Sequence, residues 1–347
     1  MMPDSPTNTA EARRGPAVLA LSSGGCALGR RLASALDGDF FAARGRLVQV
    51  MAEVWATYRH IVCIMAAGIV VRAVAPLVRD KGRDPAIVVC DEQGKFAVSL
   101  LSGHLGGANA LAQRVAAVTG GQAVLTTASD VLGRTALDLW CRDLGLQPGD
   151  KAAFTRAMGR LIDCGTLALW SRYPLPELPP DLCCHDDRAT ADLIVDSRAE
   201  SSARAVLLHP RALVVGVGCN RGTTAAAIAD AIASTCAAHG LAPQAIARLA
   251  SIDLKRDEAG LLAYARAQGL SVDFFTKDAL NQVEGIAASA IVQRATGARA
   301  VAEPAALLAA GPGAVLLAAK MKWAGVTTAV AEIADPLATT TRETYNP

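Results

Sequence analysis

The stretch Leu100-Leu101-Ser102-Gly103-His104-Leu105-Gly106-Gly107-Ala108-Asn109 concentrates more reactive chemistry than any other part of the chain. A strand ends, a glycine-rich turn follows and a helix begins. Such a turn presents backbone N–H groups at a helix N-terminus, where a carboxylate or an oxyanion is stabilised. His104 lies within the turn and has the side chain suited to giving and taking protons near neutral pH. On spacing alone, a tight turn carrying a solvated histidine fits equally well.

Four other groups carry chemistry. Ala66-Ala67-Gly68-Ile69-Val70-Val71-Arg72 puts Arg72 one helical turn after Gly68, aimed back toward strand ends. It precedes the basic cluster Arg79 to Arg83, with Lys81 and Asp84, which without context reads as a solvated loop. Gly216-Val217-Gly218-Cys219-Asn220-Arg221-Gly222-Thr223-Thr224 resembles a phosphate-binding turn. Its third glycine falls one place late for a dinucleotide fingerprint and Gly-Lys-Ser/Thr is absent, so a carboxylate beside Arg221 fits as well. Downstream, Ser251 to Glu258 includes Lys255, and Glu303 precedes Pro304 at a helix start, where capping and dipole compensation are the bland roles.

Strand–helix alternation positions these groups. Pro16 to Leu36 reads as strand, glycine turn and helix, with Leu28, Leu32 and Leu36 on one stripe. Ile61 to Met65 is a doubly buried strand leading into the helix of Arg72. Two strands flank Glu92-Gln93-Gly94 as a hairpin, a helix follows Gly107, and Gln122 to Leu125 is a strand ending at Thr126-Thr127. Residues 131–205 differ: helices over 134–145 and 149–163, a strand near Gly165–Trp170, then a proline-rich segment that excludes regular structure. The alternation returns over 211–335, with strands near 246–252, 272–275, 315–319 and 327–333. The predicted class is α/β: domains at 17–130 and 211–335 with largely parallel sheets, and a smaller α/β middle region. Residues 1–16 and 336–347 are expected to be disordered tails. Ligands in such sheets gather at the carboxyl ends of strands.

Composition narrows the function classes. Of 347 residues 52% are hydrophobic and 19% charged, enough for buried cores; only 4% are aromatic, which leaves few rings to stack on single-stranded nucleic acid. With 34 Lys plus Arg against 32 Asp plus Glu, the net charge of +2 argues against nucleic acid or membrane as partner, so acidic ligands must meet local clusters. Nine cysteines form no CxxC pair and read as buried hydrophobes of a reducing, cytoplasmic compartment. Cys183-Cys184-His185 lacks zinc-site spacing, and no protein-bound metal is expected.

Taken together, AAGIVVRAVAPLVRDKGRDPAIVVCDE, SLLSGHLGGANALA, TTASD, VVGVGCNRGTT, SIDLKRDE and VAEPAA resemble the cobalt-precorrin-5A hydrolase family of anaerobic cobalamin synthesis, over roughly residues 17–335. The middle region matches loosely, and the C-terminal half is similar to a smaller protein of the aerobic pathway. The resemblance implies a cobalt-bound tetrapyrrole substrate whose ring-A δ-lactone is opened, with release of acetaldehyde to give cobalt-precorrin-5B. It implies no cofactor, because the cobalt arrives within the substrate. His104 is the expected base or acid, the Gly103–Gly107 amides the oxyanion site, and Glu303 a second acid or base. Substrate contacts are expected at Gly68, Arg72, Lys81, Asp84, Ser102, Gly103, Gly106, Gly107, Asn109, Thr126, Thr127 and Asp130. In the second half they are expected at Gly216, Gly218, Cys219, Asn220, Arg221, Lys255 and Glu258. A homodimer and transient contact with corrin-pathway methyltransferases stay open. The competing readings are a non-catalytic carrier of corrinoid intermediates and a nucleotide-dependent α/β enzyme built on the 216–224 turn.

Overall fold

The computed structural model describes residues 15–80, 82–200 and 204–338. The chain forms two compact units, Met1–Leu139 and Trp140–Pro347. The first contains β1 (Ala17–Ala20), α1 (Ser23–Ala35), β2 (Asp39–Ala42), α2 (Leu47–Thr57), β3 (His60–Ile64), α3 (Ala67–Val74), β4 (Ala86–Cys90), β5 (Phe96–Leu101), α4 (Ala108–Thr119), β6 (Gln122–Val124) and α5 (Ala128–Leu132). Helix α6 (Leu137–Asp143) spans the division.

The first sheet has the order β2-β1-β3-β4-β5-β6. Strands β1 to β4 run parallel, and β1, β3 and β4 are buried almost throughout, as continuous apolar runs such as HIVCI and AIVVC require, while β2 at the edge is only partly buried. Leu28, Leu32, Leu111 and Val115 cover one face from α1 and α4; Val50, Met51, Val54, Val70 and Val74 cover the other from α2 and α3. Cys63 and Cys90 are part of this packing, and burial pushes their thiols up to about 12 and about 11.

Strand β5 reverses the sheet. It pairs antiparallel with β4, Ile87 opposite Leu101 and Cys90 opposite Ala97, and β6 runs parallel to β5. The carboxyl ends of β5 and β6 therefore lie at the edge where β1, β3 and β4 begin.

The second unit continues with β7 (Gln147–Pro148), α7 (Lys151–Cys164), β8 (Leu167–Ser171), β9 (Leu182–Cys184), β10 (Leu193–Val195), β11 (Val206–His209), β12 (Leu213–Cys219), α8 (Ala225–Ala238), β13 (Ile246–Ile252), α9 (Ala259–Gln268), β14 (Ser271–Phe275), α10 (Lys277–Asn281), α11 (Ala290–Thr296), α12 (Ala302–Ala310), β15 (Val315–Trp323) and β16 (Val326–Glu332). Its sheets have the orders β7-β11-β10-β8-β9 and β14-β13-β12-β16-β15. The fold is thus α/β with largely parallel sheets and a smaller middle sheet. In the last sheet β12, β13 and β14 are parallel and the β15–β16 hairpin is antiparallel.

Several boundaries differ from the sequence reading. The middle sheet shares a compact unit with the C-terminal one, and β11 at 206–209 belongs to it. Residues 131–139 fall in the first unit, where Arg134 N–H donates to the Ser129 carbonyl. Packing also extends past the expected ends, since Gly15 and Leu337 are buried; the rest of both predicted tails, 1–14 and 339–347, lies outside the described residues. Strand β2 and helix α2 had no counterpart in the predicted elements. No helix among the described residues is long and apolar enough to cross a membrane.

Candidate functional site

The reversal at β5 sets the geometry. Loop 102–107, after β5, and residues 125–130, after β6, come to one edge of the sheet. There Asn109, buried at the start of α4, donates from Nδ2 to Thr127 Oγ1 at 3.2 Å and to Asp130 Oδ2 at 2.6 Å. His104 sits above this pair with only 14% of its side chain exposed. Its Nε2 lies 3.1 Å from Asp130 Oδ2 and 3.2 Å from Ser129 Oγ, and its Nδ1 lies 3.4 Å from Asp138 Oδ1. In the tautomer whose Nδ1 proton faces Asp138, Nε2 carries the lone pair and can accept from the Ser129 hydroxyl; in the other, Nε2 donates to Asp130. Once Nε2 takes a proton, the Asp130 carboxylate is placed to accept from it. The arrangement can move a proton and hold the resulting positive charge.

The loop's backbone is shaped for this. Ser102 takes φ +58°, rare for a residue with a Cβ, and its hydroxyl donates to the Asp84 carbonyl at 3.1 Å. Gly107 caps α4 at φ +87°, and a side chain there would press on His60 Nε2. At Gly103 a Cβ would crowd Asn109 Oδ1, and at Gly106 it would overlap Ser102. The Gly107, Ala108 and Asn109 amides donate to the carbonyls of His104, Ser102 and Gly103. Gly107 N–H is therefore withdrawn from the expected oxyanion site. The amides of Gly103, His104, Leu105 and Gly106 have no hydrogen-bond partner among the described residues.

Not every expected position joins His104. Gly68 and Arg72 lie on α3, which starts at the carboxyl end of β3, the opposite edge from the start of α4. Arg72 Nη1 donates back to the Gly68 carbonyl at 2.9 Å, closing the helical turn rather than reaching His104. Met65, Ala66, Ala67, Asp91 and Glu92 line a cavity of about 340 Å³ at that edge. Asp84 is buried, and its carboxylate accepts from the Arg79 and Asp80 amides, so its side chain shapes the basic loop. Lys81 lies outside the described residues. Thr126 is exposed beside Thr127.

In the second unit the 216–224 turn already holds an anion of its own. Glu258, 2% exposed, accepts from Gly222 N–H at 2.8 Å and from Lys255 Nζ at 3.0 Å. Burial raises its pKa, yet Lys255, the Gly222 amide and Arg221 together outweigh that and hold it below the ordinary glutamate value. Asn220 N–H donates to the Gly325 carbonyl, and Arg221 turns out to Asp257 at 2.6 Å. Gly216 is mid-strand, where a Cβ would overlap the Ala302 carbonyl, so it serves the packing of α12. These findings correct the expectation of a carboxylate or phosphate on the turn's amides with Arg221 beside it. Gly218, Cys219, Asn220 and Lys255 instead line a neighbouring cavity of about 340 Å³. Glu303, in the first turn of α12, accepts from Lys320 N–H at 3.1 Å.

The residues that sequence reasoning missed at the first edge are Ser129, Asp138 and His60. Ser129 lies inside TTASD and was within reach of a closer reading. Asp138 carries no local signal. His60 opens β3, and burial, then Arg114, lowers its pKa. Cys183 and Cys184 are exposed neighbours on one strand, so their side chains point to opposite faces.

Comparisons with known proteins agree with one another. Residues 49–130 match the family described as "Cobalamin synthesis G N-terminal", and residues 213–331 match "Cobalamin synthesis G C-terminus". A "Cobalt-precorrin-5A hydrolase" of Priestia megaterium is 34% identical over 310 residues, covering 83% of this chain and 82% of that protein. One of Salmonella typhimurium is 33% identical over 318 residues, covering 84% and 91%. The "Protein CobE" of a Sinorhizobium species is 36% identical over 121 residues, 34% of this chain and 79% of that one.

Proposed function

From the premise that the chain belongs to the cobalt-precorrin-5A hydrolase family of cobalamin synthesis, we propose that it opens the ring-A δ-lactone of cobalt-precorrin-5A and then releases acetaldehyde. The observation that carries this reading is the imidazole of His104 set between Asp138 on Nδ1 and Ser129 and Asp130 on Nε2.

In this mechanism His104 Nε2 removes a proton from water as the oxygen attacks the lactone carbonyl. Asp138 orients the ring and Asp130 stabilises the imidazolium. The unpartnered amides of Gly103 to Gly106 receive the developing oxyanion. The tetrahedral intermediate collapses, the ring oxygen leaves, and the imidazolium returns its proton there. The hydroxyl so freed is on the bridging carbon. Its deprotonation by His104 breaks the carbon–carbon bond to ring A, giving acetaldehyde. The electron pair enters the conjugated macrocycle, which takes up a proton. One water is consumed overall. The cobalt belongs to the substrate and no step needs a second metal. Leu105, Val131 and Leu132, all exposed beside the cluster in sequence, give the macrocycle an apolar surface. We assign Glu303 to anchoring β15 rather than to proton transfer.

The test is acetaldehyde release from the cobalt-bound lactone by the full chain. Wild type is expected to yield one acetaldehyde per substrate, and His104→Ala to lower the rate by about 10²–10⁴. Undiminished release by His104→Ala removes that residue from the mechanism. Tight binding by wild type with no acetaldehyde replaces the hydrolase with a carrier.

A further inference from the structure

In the tautomer that can act as a base, His104 Nε2 has one lone pair, and a hydroxyl already faces it. Ser129 Oγ lies 3.2 Å from Nε2, while Nδ1 across the ring lies 3.4 Å from Asp138 Oδ1. Asp138 is itself fixed, since its Oδ1 also accepts from Leu139 N–H at 3.0 Å. Hydroxyl, imidazole and carboxylate therefore stand in series, all within the first unit.

Ser and Thr hydroxyls near a helix start usually serve the backbone. Ser22, Thr224 and Thr276 do so here, accepting from the Gly25, Ala227 and Ala279 amides. Ser129, in the first turn of α5, does not: among the described residues His104 is the one partner of its hydroxyl. At 7% exposure the residue is also shielded from bulk water. A water must displace this hydroxyl before His104 can deprotonate it, whereas Ser129 is already held against the base. Asp130 Oδ2, 3.1 Å from Nε2 and bound by Asn109 Nδ2 at 2.6 Å, is placed to steady the ring once it takes up the serine proton.

We propose that Ser129 is the nucleophile that opens the lactone, with His104 as its base and Asp138 orienting the ring. The assignment rests on the hydrolase reading above and moves its water to a second step. First, His104 Nε2 takes the Ser129 proton as Oγ bonds to the lactone carbonyl carbon. The bond from that carbon to the ring oxygen then breaks, and the ring oxygen takes the proton from Nε2. This leaves an ester on Ser129 and a free hydroxyl on the bridging carbon. The vacated lone pair of Nε2 now receives water and deprotonates it as its oxygen attacks the ester carbonyl. The carbon–Oγ bond breaks and the proton returns to Ser129. One water is consumed, the substrate carboxyl is freed and the serine is restored.

The test is acid quenching of the full chain within the first turnover of cobalt-bound lactone, read by intact mass and peptide mapping. An adduct of the substrate mass, or of that mass less acetaldehyde, is expected on residue 129 in wild type or in Ser129→Cys. It is expected to be absent from Ser129→Ala and His104→Ala. Ser129→Ala is also expected to slow acetaldehyde release by about 10²–10⁴, as His104→Ala does, because the two groups act as a unit. Far-UV circular dichroism and Tm establish that each variant is folded. Release by Ser129→Ala within about tenfold of wild type overturns the assignment and gives the first attack to water. A larger loss with no adduct on residue 129 in either chain also overturns it and leaves Ser129 as a positioning residue for His104. Acylated Ser129 without acetaldehyde supports the nucleophile and removes the carbon–carbon cleavage from the hydrolase reading. If wild type neither takes the acyl group nor releases acetaldehyde, the hydrolase reading falls and an alkyl fluorophosphonate decides Ser129 by itself. Labelling of Ser129 that is lost in His104→Ala supports the nucleophile; labelling that persists there, or none in wild type, overturns it.

Discussion

Asp138 reaches His104 from 34 residues away and contacts the nitrogen that does not face Ser129. Its effect is on the tautomer. An amide at that position can donate to Nδ1, which moves the proton to Nε2 and leaves the ring unable to accept one from water. Asp138→Asn is therefore expected to lower kcat about a hundredfold or more with KM nearly unchanged, measured as acetaldehyde release over a range of lactone concentrations. A raised KM with kcat unchanged would assign Asp138 to binding instead. The neighbouring constraints are steric: Gly103 gives way to Asn109, Gly106 to Ser102 and Gly107 to His60, so the run of glycines around His104 reflects close approach as much as amide display.

At the scale of elements, the strands and helices were largely legible because their apolar runs and stripes are strong. The β4–β5 hairpin was legible too, from Glu92-Gln93-Gly94. Its consequence was not: reversing one strand sends loop 102–107 to the edge opposite the start of α3, so Gly68 and Arg72 part from His104 although all belong to motifs of one family. Ser129 lies within the motif TTASD, but Asp138 joins His104 only through tertiary packing, which no local spacing encodes. The 216–224 turn was misread for a related reason, since its internal anion, Glu258, lies 36 residues from Gly222. That carboxylate ties the turn to the start of α9, and Glu258→Gln is expected to destabilise the fold by about 2 kcal/mol near neutral pH in urea denaturation. Because its folded pKa lies below the ordinary glutamate value of 4.5, its contribution is present in full above that value. It fades as pH falls through the depressed folded value, so wild type and variant should converge in acid. A gap that persists there would place the effect in packing rather than charge.

At the scale of the whole molecule, a net charge of +2 on a chain proposed to act on a polyanion means that binding must rest on local clusters rather than on a broad basic surface. Within the second unit, the two sheets are joined by buried polar contacts. Tyr173, just after β8, donates to Glu332 Oε1 at the end of β16 at 2.6 Å, and Ser197 Oγ donates to the same oxygen at 2.7 Å. Next to them Arg172 binds the fully buried Asp196 in bidentate fashion, Nε to Oδ1 at 2.6 Å and Nη2 to Oδ2 at 3.1 Å. Removing the arginine leaves a buried carboxylate with only the Arg198 N–H on Oδ1 at 3.1 Å and Arg188 Nη2 at 3.9 Å from Oδ2. Because Arg172 is partly exposed, Arg172→Ala is expected to cost about 2 kcal/mol, below the range for a fully enclosed pair. Trp170 reports on the middle sheet and Trp323 on the C-terminal sheet. In single-tryptophan versions of the chain both should unfold at one urea midpoint, and both midpoints should fall together in Arg172→Ala. If only the Trp170 transition moves, the two sheets are separate folding units and the Tyr173–Glu332–Ser197 contacts do not couple them.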